Sequence, residues 1–192
     1  IMDYKKFIPC IYLENGNAVK GLQDNSVISM NPLELAISYS DNGADEIMIM
    51  DLSTQDTEHE AHLHLIKEIA QRAGVPVIGA GHINRMEDVK KILYAGCKKA
   101  ILNLSKDSNL ELIQEVSSKF GQDKIAGAFR EFKTIKVYKK LIEQYISELI
   151  SLDELSLKES LAVTELPVLA VLPQISLDKL LSIFSMKKIS GI

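Results

Sequence analysis

Hydrophobic and polar positions change periodicity sharply around residues 75–102. A short run rich in β-branched residues, 75–78, is followed by apolar residues at helical spacing over 84–94. Gly96 stands where a helix C-cap glycine belongs, and Lys98-Lys99-Ala100-Ile101-Leu102 starts the next strand. The pattern predicts a strand–helix–strand unit, whose strands should be parallel and joined by a right-handed crossover.

The same unit recurs about ninety residues further along the chain. Residues 166–169 repeat the first strand, 176–186 repeat the helix, and 187–189 repeat the start of the second strand. Upstream, residues 39–53 are echoed more weakly by 145–155. Two similar halves of alternating strands and helices predict an α/β protein, a compact TIM-like (βα)8 barrel made of two half-barrels, about 1–121 and 122–192.

Periodicity, caps and turn residues divide the whole chain into alternating elements. The predicted strands are 6–13, 46–52, 75–78, 98–102, 124–129, 146–152, 166–172 and 188–192. The predicted helices are 33–42, 57–72, 84–94, 108–120, 135–143, 153–163 and 176–186. Residues 17–31 are predicted as a loop with a strand-like run at 26–28. The last helix of an eightfold barrel is missing, so we expect a single barrel domain that is a fragment of a longer chain.

Bulk properties narrow the class of protein. The 192 residues carry a net charge of −4 with mixed signs, which gives no reason to expect nucleic acid. No apolar run approaches the roughly 18 residues of a membrane helix, and no signal-peptide pattern opens the chain. Cys10 and Cys97 lie in predicted strands, where buried free thiols are expected. A cytoplasmic protein is predicted.

In a parallel barrel, chemistry lies where the carboxyl ends of the strands open into loops. The residues at those ends are Tyr12, Asp51, Gly81, His82, Asn103, Arg130, Asp153, Leu172 and Pro173. Asp51 ends a strongly apolar strand and is a candidate acid or base, with capping of the next helix as an equal alternative. Gly79-Ala80-Gly81 would let the backbone approach a phosphate near a helix N-terminus, although such turns are more often structural. His82 could add a further donor there, but a solvated loop histidine is the favoured interpretation.

The histidine-rich run from His59 to His64 invites a metal interpretation. His59 and His62 are three residues apart and share a helix face, whereas His64 lies away from them. The run lacks the pair of histidines four apart around a glutamate that zinc proteases use. It is therefore predicted to be a polar outer helix face, as is the Lys/Glu-rich run over 133–148. The sequence predicts neither a metal site nor a cofactor.

Short motifs between about residue 6 and residue 129 match a pair of known enzyme families. They are Ile8-Pro9-Cys10, Asn15-Gly16, Val19-Lys20-Gly21, Asn31-Pro32-Leu33-Glu34-Leu35, Gly43-Ala44-Asp45-Glu46, Met50-Asp51-Leu52, Glu87-Asp88-Val89 and Gly96. With these residues the chain resembles the histidine-biosynthesis barrels, namely the cyclase subunit of imidazole glycerol phosphate synthase and the phosphoribosylformimino-aminoimidazole carboxamide ribotide isomerase. The resemblance implies a duplicated half-barrel that binds a substrate with a phosphate at each end.

The catalytic pattern of those families is not carried over. The resemblance implies acid/base aspartates after the first and fifth strands, and Tyr12 and Arg130 stand there instead. Removing one positioned acid or base typically lowers a rate about 10²–10⁴-fold. The phosphate-binding glycines expected after strand seven are replaced by Leu172-Pro173, and the hydroxyl expected beside Asn103 is replaced by Leu104.

Five residues remain candidate site residues, three of them retained by this resemblance (Asp51, Lys20 and Asn103) and two from the glycine turn (Gly81 and His82). Asp51 and Lys20 are the catalytic candidates, and Gly81, His82 and Asn103 are the phosphate-binding candidates. The leading hypothesis is a catalytically degenerate barrel domain that serves as a scaffold or partner-binding module. The alternative is an active isomerase or cyclase acting on a bisphosphorylated ribotide.

The expected partners are other histidine-biosynthesis domains or subunits, with a phosphorylated ribotide as the candidate ligand. The chain also resembles barrel-like regions that precede phosphoribosyl-AMP cyclohydrolase and phosphoribosyl-ATP pyrophosphatase domains in some bacterial polypeptides. That resemblance implies that the domain belongs to such a fusion. Neither nucleic acid nor a membrane is expected as a partner.

Overall fold

A computed structural model describes residues 4–172 and 176–192. Within those residues the chain forms ten strands, eight α-helices and two short 3-10 helices, Gln122–Lys124 and Glu154–Ser156. It divides into two compact units. The N-terminal unit holds residues 7–101, and the C-terminal unit holds residues 102–172 and 176–192 together with 4–6.

The N-terminal unit contains a mixed sheet with strand order β3-β2-β1-β4-β5-β6. Its strands are β1 (Cys10–Glu14), β2 (Asn17–Val19), β3 (Val27–Ser29), β4 (Ile47–Asp51), β5 (Val77–Ala80) and the first part of β6 (Lys99–Asn103). Strands β1, β4, β5 and β6 are parallel, whereas β1, β2 and β3 form an antiparallel meander. Its helices are α1 (Pro32–Asp41), α2 (Asp56–Arg72) and α3 (Met86–Tyr94).

The C-terminal unit repeats the strand–helix alternation with parallel strands only. Its elements are α4 (Asp107–Phe120), β7 (Ile125–Phe129), α5 (Phe132–Val137), α6 (Lys139–Tyr145), β8 (Glu148–Ser151), α7 (Leu157–Val163), β9 (Val168–Ala170), α8 (Leu177–Phe184) and β10 (Ile189–Gly191). Strand β7 pairs with β8, β8 with β9, and β9 with β10. Lys6 adds a parallel bridge to Gly191 at the free side of β10.

The element ends follow local sequence signals. Helix α1 starts at Pro32, and the side chain of Asn31 caps it by accepting a hydrogen bond from the Glu34 amide at 3.2 Å. Gly43, with φ of +99°, ends the helix in the left-handed region that glycine favours. Strand β4 is buried at all five positions, as expected for a parallel strand covered on both faces.

The predicted α/β alternation is confirmed, and most element bounds agree within two residues. Four details differ: the first strand begins at Cys10 and not at residue 6, the predicted helix over 135–143 is two helices that meet at Tyr138, the loop over 17–31 contains strand β2, and a 3-10 turn precedes α7. Glu148 is buried in β8 and does not belong to an exposed helix face.

Cys97 is a buried free thiol, but it lies in the turn before β6 and not in a strand; burial raises its pKa to about 12. Cys10 lies in β1, with part of its side chain accessible.

Some fold predictions go further than these observations. The assembly of two half-barrels divided near residue 121 and the absence of an eighth helix stay predictions, and Pro173 lies outside the described residues. No helix within 4–172 or 176–192 combines the length and apolar character needed to cross a membrane.

Candidate functional site at the end of strand β4

Asp51, the last residue of β4, is the centre of a buried hydrogen-bond cluster. Its Oδ2 lies 2.5 Å from Nδ1 of His59, and its Oδ1 lies 2.7 Å from Nδ1 of His62. Oδ1 also accepts a hydrogen bond from the backbone N–H of Ser53 at 2.9 Å. The side chains of Asp51, His59 and His62 are each no more than 4% exposed. Every polar contact of this carboxylate is therefore made inside the protein.

Helix α2 positions both histidines. The helix begins at Asp56, five residues after β4 ends at Asp51, so its first two turns lie close to the end of the strand. Residues three apart share a helix face, and His59 and His62 both direct Nδ1 at the carboxylate. The prediction of a polar outer face is wrong for these two residues, because a buried carboxylate supplies the partner that buried imidazoles need. It is right for His64, which is exposed.

The hydrogen bonds decide the charge of Asp51. Burial alone would raise its pKa, but donation from His59, His62 and the Ser53 N–H outweighs burial and holds the pKa well below its usual range. An ionised carboxylate only accepts hydrogen bonds, so both histidines present Nδ1–H to it. Asp51 is therefore an anion at neutral pH with both oxygens engaged.

The second nitrogen of His62 connects the cluster to the first hairpin. His62 Nε2 accepts a hydrogen bond from the Gly16 N–H at 3.0 Å, which fixes His62 as the neutral Nδ1–H tautomer. One turn earlier on α2, Glu58 Oε1 accepts from the Asn15 N–H at 2.7 Å. Asn15 and Gly16 have φ of +50° and +76°, the tight turn that their sequence predicts. The turn between β1 and β2 is thus held by two side chains of α2.

The second nitrogen of His59 differs from that of His62. Nε2 of this 3%-exposed residue makes no hydrogen bond within the described part of the chain. The face of the ring is covered by the ring of His82, with centroids 4.1 Å apart and an interplanar angle of 17°. Asp51 therefore holds the His59 ring on one edge, and His82 covers it from above.

His82 is not the solvated loop histidine that the sequence favours. Its side chain is only 16% exposed, with Nε2 3.0 Å from Asp56 Oδ1 and Nδ1 3.4 Å from the Ser53 carbonyl oxygen. Its φ of +57° is unusual for a residue with a Cβ atom. The turn between β5 and α3 is thereby fixed against the loop between β4 and α2.

Gly81 has a structural reason to be glycine. Its φ is +96°, and a Cβ atom built there would lie 2.1 Å from the backbone carbonyl oxygen of Asp51. The turn after β5 can approach β4 this closely only without a side chain. The amides of Asn84 and Arg85, just before α3, donate to Asp88 Oδ2 at 2.9 and 3.1 Å, so these two donors are already used within the chain. Phosphate binding at Gly81 and His82 stays a prediction.

The other predicted site residues have partners of their own outside the cluster. Lys20 is exposed, and its Nζ lies 3.9 Å from Asp24 Oδ2. Asn103 belongs to the C-terminal unit, where its side-chain oxygen accepts from the Ser105 N–H at 3.0 Å. Asp153, in the same unit, accepts from the Leu155 N–H at 2.9 Å. The structure thus joins Asp51, Gly81 and His82 in one place.

Sequence reasoning missed His59 and His62 as members of the site. The available signal was their shared helix face, combined with a carboxylate ending the strand immediately before that helix. The cluster is not arranged as a metal site: both Nδ1 atoms point at Asp51, and residues 4–172 and 176–192 contain no group of three or more His, Cys, Asp or Glu suited to hold an ion.

The fold and the site at the strand end place the chain among parallel α/β proteins whose functional residues lie where strands open into loops. Residues 6–157 match the family described as histidine biosynthesis protein, and the chain belongs to that family. This membership confirms the prediction of a histidine-biosynthesis protein and supports a TIM-barrel-like fold.

Curated relatives of known name are similar to part of this chain. The chain is 35% identical over 129 residues to imidazole glycerol phosphate synthase subunit HisF of Staphylococcus aureus strain JH9. The same subunit from strain Newman is 34% identical over 129 residues. In both cases the match covers 67% of this chain and 51% of the relative, so the chain spans about half the length of the curated relatives it matches.

Proposed function

We propose that this chain is a catalytically degenerate histidine-biosynthesis barrel domain that acts as a scaffold or partner-binding module. The observation that carries the proposal is the replacement of both expected acid/base aspartates, by Tyr12 in β1 and by Arg130 directly after β7. Arg130 is exposed, and a guanidinium does not accept a proton in proteins. It cannot replace a catalytic carboxylate.

Tyr12 is equally unsuited to the role it would inherit. It is 9% exposed and lies within β1, in register with Val19 of β2 and Met50 of β4. Phenols ionise near pH 10, so a tyrosine is a poor general base at neutral pH. A buried side chain in the body of the sheet contributes packing instead of proton transfer.

The one retained carboxylate serves as an anchor. A general base works best when its pKa is near the working pH, whereas the pKa of Asp51 is held far below it. Its oxygens accept from His59, His62 and Ser53, and these contacts connect α2 with the end of β4. Asp51 therefore stabilises the junction between β4 and α2 and does not serve as a catalytic base.

The partner follows from the family. The relatives are named as subunits of a synthase, and we propose that this domain likewise works beside other histidine-biosynthesis domains. The finer form of the proposal places it ahead of cyclohydrolase and pyrophosphatase domains in one polypeptide. Sequencing the gene beyond the codon for Ile192 tests this: a cyclohydrolase-like cysteine and histidine zinc motif in frame is expected, and an immediate stop codon contradicts it.

The alternative is an active isomerase or cyclase, and retention of Asp51, Lys20 and Asn103 favours it. It predicts tight binding of a bisphosphorylated ribotide, which would stabilise the folded chain by about 2.7 kcal/mol at a hundred times the dissociation constant. Our proposal predicts no rise in melting temperature with millimolar ribotide beyond that given by inorganic phosphate at equal ionic strength. A rise that saturates, and that is lost in Asp51→Asn while Asp153→Asn retains it, supports the enzyme.

A further inference from the structure

The two stacked histidines of the N-terminal unit differ in what surrounds their ring nitrogens. Both nitrogens of His82 face oxygens that only accept, namely Oδ1 of Asp56 and the Ser53 carbonyl. A neutral imidazole has one N–H and can donate to only one of them, whereas an imidazolium donates to both. Both hydrogen bonds of His82 can therefore form at the same time only when the ring is protonated.

His59 has the opposite environment. Its Nδ1–H is donated to Asp51, and its Nε2 is buried without an acceptor. Protonating Nε2 would bury an unsatisfied donor and place a second cation 4.1 Å from the His82 ring. The stacked pair therefore carries a single positive charge, which resides on His82 above a neutral His59.

Neighbouring charges agree with this assignment. Asp51 is the only carboxylate in hydrogen-bond contact with His59 among the described residues, and Asp56 is the only one in contact with His82. Glu60, which also belongs to α2, forms an ion pair with Lys91 of α3, with Oε1 and Nζ 2.5 Å apart. The charge of Glu60 is therefore balanced by Lys91. His62, on the other side of Asp51, is fixed as neutral by the Gly16 N–H.

We propose that His82 is a proton-operated latch that closes the turn between β5 and α3 over His59. Histidine changes charge between about pH 5 and pH 8, so the contacts to Asp56 and Ser53 form together on the acidic side of this range. On the basic side His82 loses one of them, and its left-handed backbone then favours release. Release uncovers Nε2 of His59, whose orientation Asp51 maintains.

A double-mutant cycle tests the latch. His82→Asn removes the ring but keeps a residue that tolerates positive φ, and Asp56→Asn removes the carboxylate charge. We expect the two changes to be coupled by about two- to fivefold in the unfolding equilibrium constant at about pH 5.5, and to be independent at about pH 8. The Glu60–Lys91 pair joins α2 to α3 without titrating in this range, so its coupling should be equal at both pH values. Coupling of His82 and Asp56 that does not change with pH overturns the proposal.

A second measurement follows exposure of His59 directly. Diethyl pyrocarbonate modifies unprotonated imidazoles, and exposed His64 on the same helix reports the intrinsic effect of pH. We expect the ratio of the His59 rate to the His64 rate to rise severalfold from about pH 5.5 to about pH 8 in the natural chain. In His82→Asn the ratio should be high at both pH values. A ratio that changes with neither pH nor this substitution contradicts the latch.

Discussion

Asp51 accepts hydrogen bonds from three donors while buried, so its removal should cost more than that of an ordinary surface aspartate. Asp51→Asn exchanges one oxygen for an amide that faces a donor N–H of His59 or His62. We expect the free energy of unfolding in urea at pH 7 to fall by about 1.5–3 kcal/mol, the usual value for hydrogen bonds to a charged group.

Asp153→Asn is the matched control for this measurement. Asp153 also follows a strand, but it accepts one backbone hydrogen bond, which an amide oxygen can replace. We expect a change of less than about 0.5 kcal/mol for this variant. Equal free energies of unfolding for Asp51→Asn and the natural chain would mean that the hydrogen bonds of Asp51 do not stabilise the fold.

The depressed pKa of Asp51 has a defined consequence in acid. A carboxyl whose pKa is lowered by folding stabilises the protein above its unfolded value, near pH 4, and loses that contribution as the pH falls further. The difference in unfolding free energy between the natural chain and Asp51→Asn should therefore narrow below about pH 4. Urea titrations over a series of acidic buffers measure it, and a constant difference down to about pH 3 would disagree with the assignment.

Gly81 and Gly43 share a left-handed backbone but differ in the space around them. A methyl group at Gly81 would meet the Asp51 carbonyl oxygen, whereas nothing lies within 4 Å of one at Gly43. Gly43→Ala should cost only the backbone strain, about 1–2 kcal/mol. Gly81→Ala adds overpacking of about 1–3 kcal/mol to a similar strain. Unfolding in urea compares the two variants, and equal losses would show that β4 and the turn after β5 are not in contact.

At the level of elements, α2 should control the order of the hairpin turn between β1 and β2. Glu58→Ala removes the acceptor of the Asn15 N–H, so we expect amide hydrogen exchange at Asn15 to accelerate about two- to tenfold. Glu60→Ala, two residues along the same helix and directed at Lys91, is the control and should leave Asn15 unchanged. An equal effect of both variants would mean that the helix as a whole, and not this hydrogen bond, orders the turn.

The elements themselves were largely predictable from the sequence, because their signals are local. Asn31-Pro32 marks the start of α1 and Gly43 its end through cap chemistry that needs no tertiary contact. The break at Tyr138 and the short strand β2 carry no comparable signal, since each depends on packing against neighbouring elements. The buried position of His59 and His62 was not predictable from helix periodicity alone, because a polar residue on the inner face becomes favourable only when Asp51 meets it.

For the whole chain, membership of the histidine-biosynthesis family is established by residues 6–157, and the function of this member is what remains to be tested. Asp51, which belongs to the motif Met50-Asp51-Leu52, also connects β4 with α2. The residues that identify the family therefore include one that stabilises the fold. Activity, in contrast, depends on the residues that form the site. The proposal of a degenerate domain depends on two positions above all, Tyr12 within β1 and Arg130 directly after β7.

The most direct measurement is steady-state turnover by the purified 192-residue chain with the bisphosphorylated ribotide substrates of the isomerase and the cyclase. We expect no turnover above the uncatalysed rate, and no change when Asp51 is replaced by Asn. Turnover that the natural chain and Asp153→Asn both show, and that Asp51→Asn abolishes while still folded, would contradict the account and identify the chain as an enzyme.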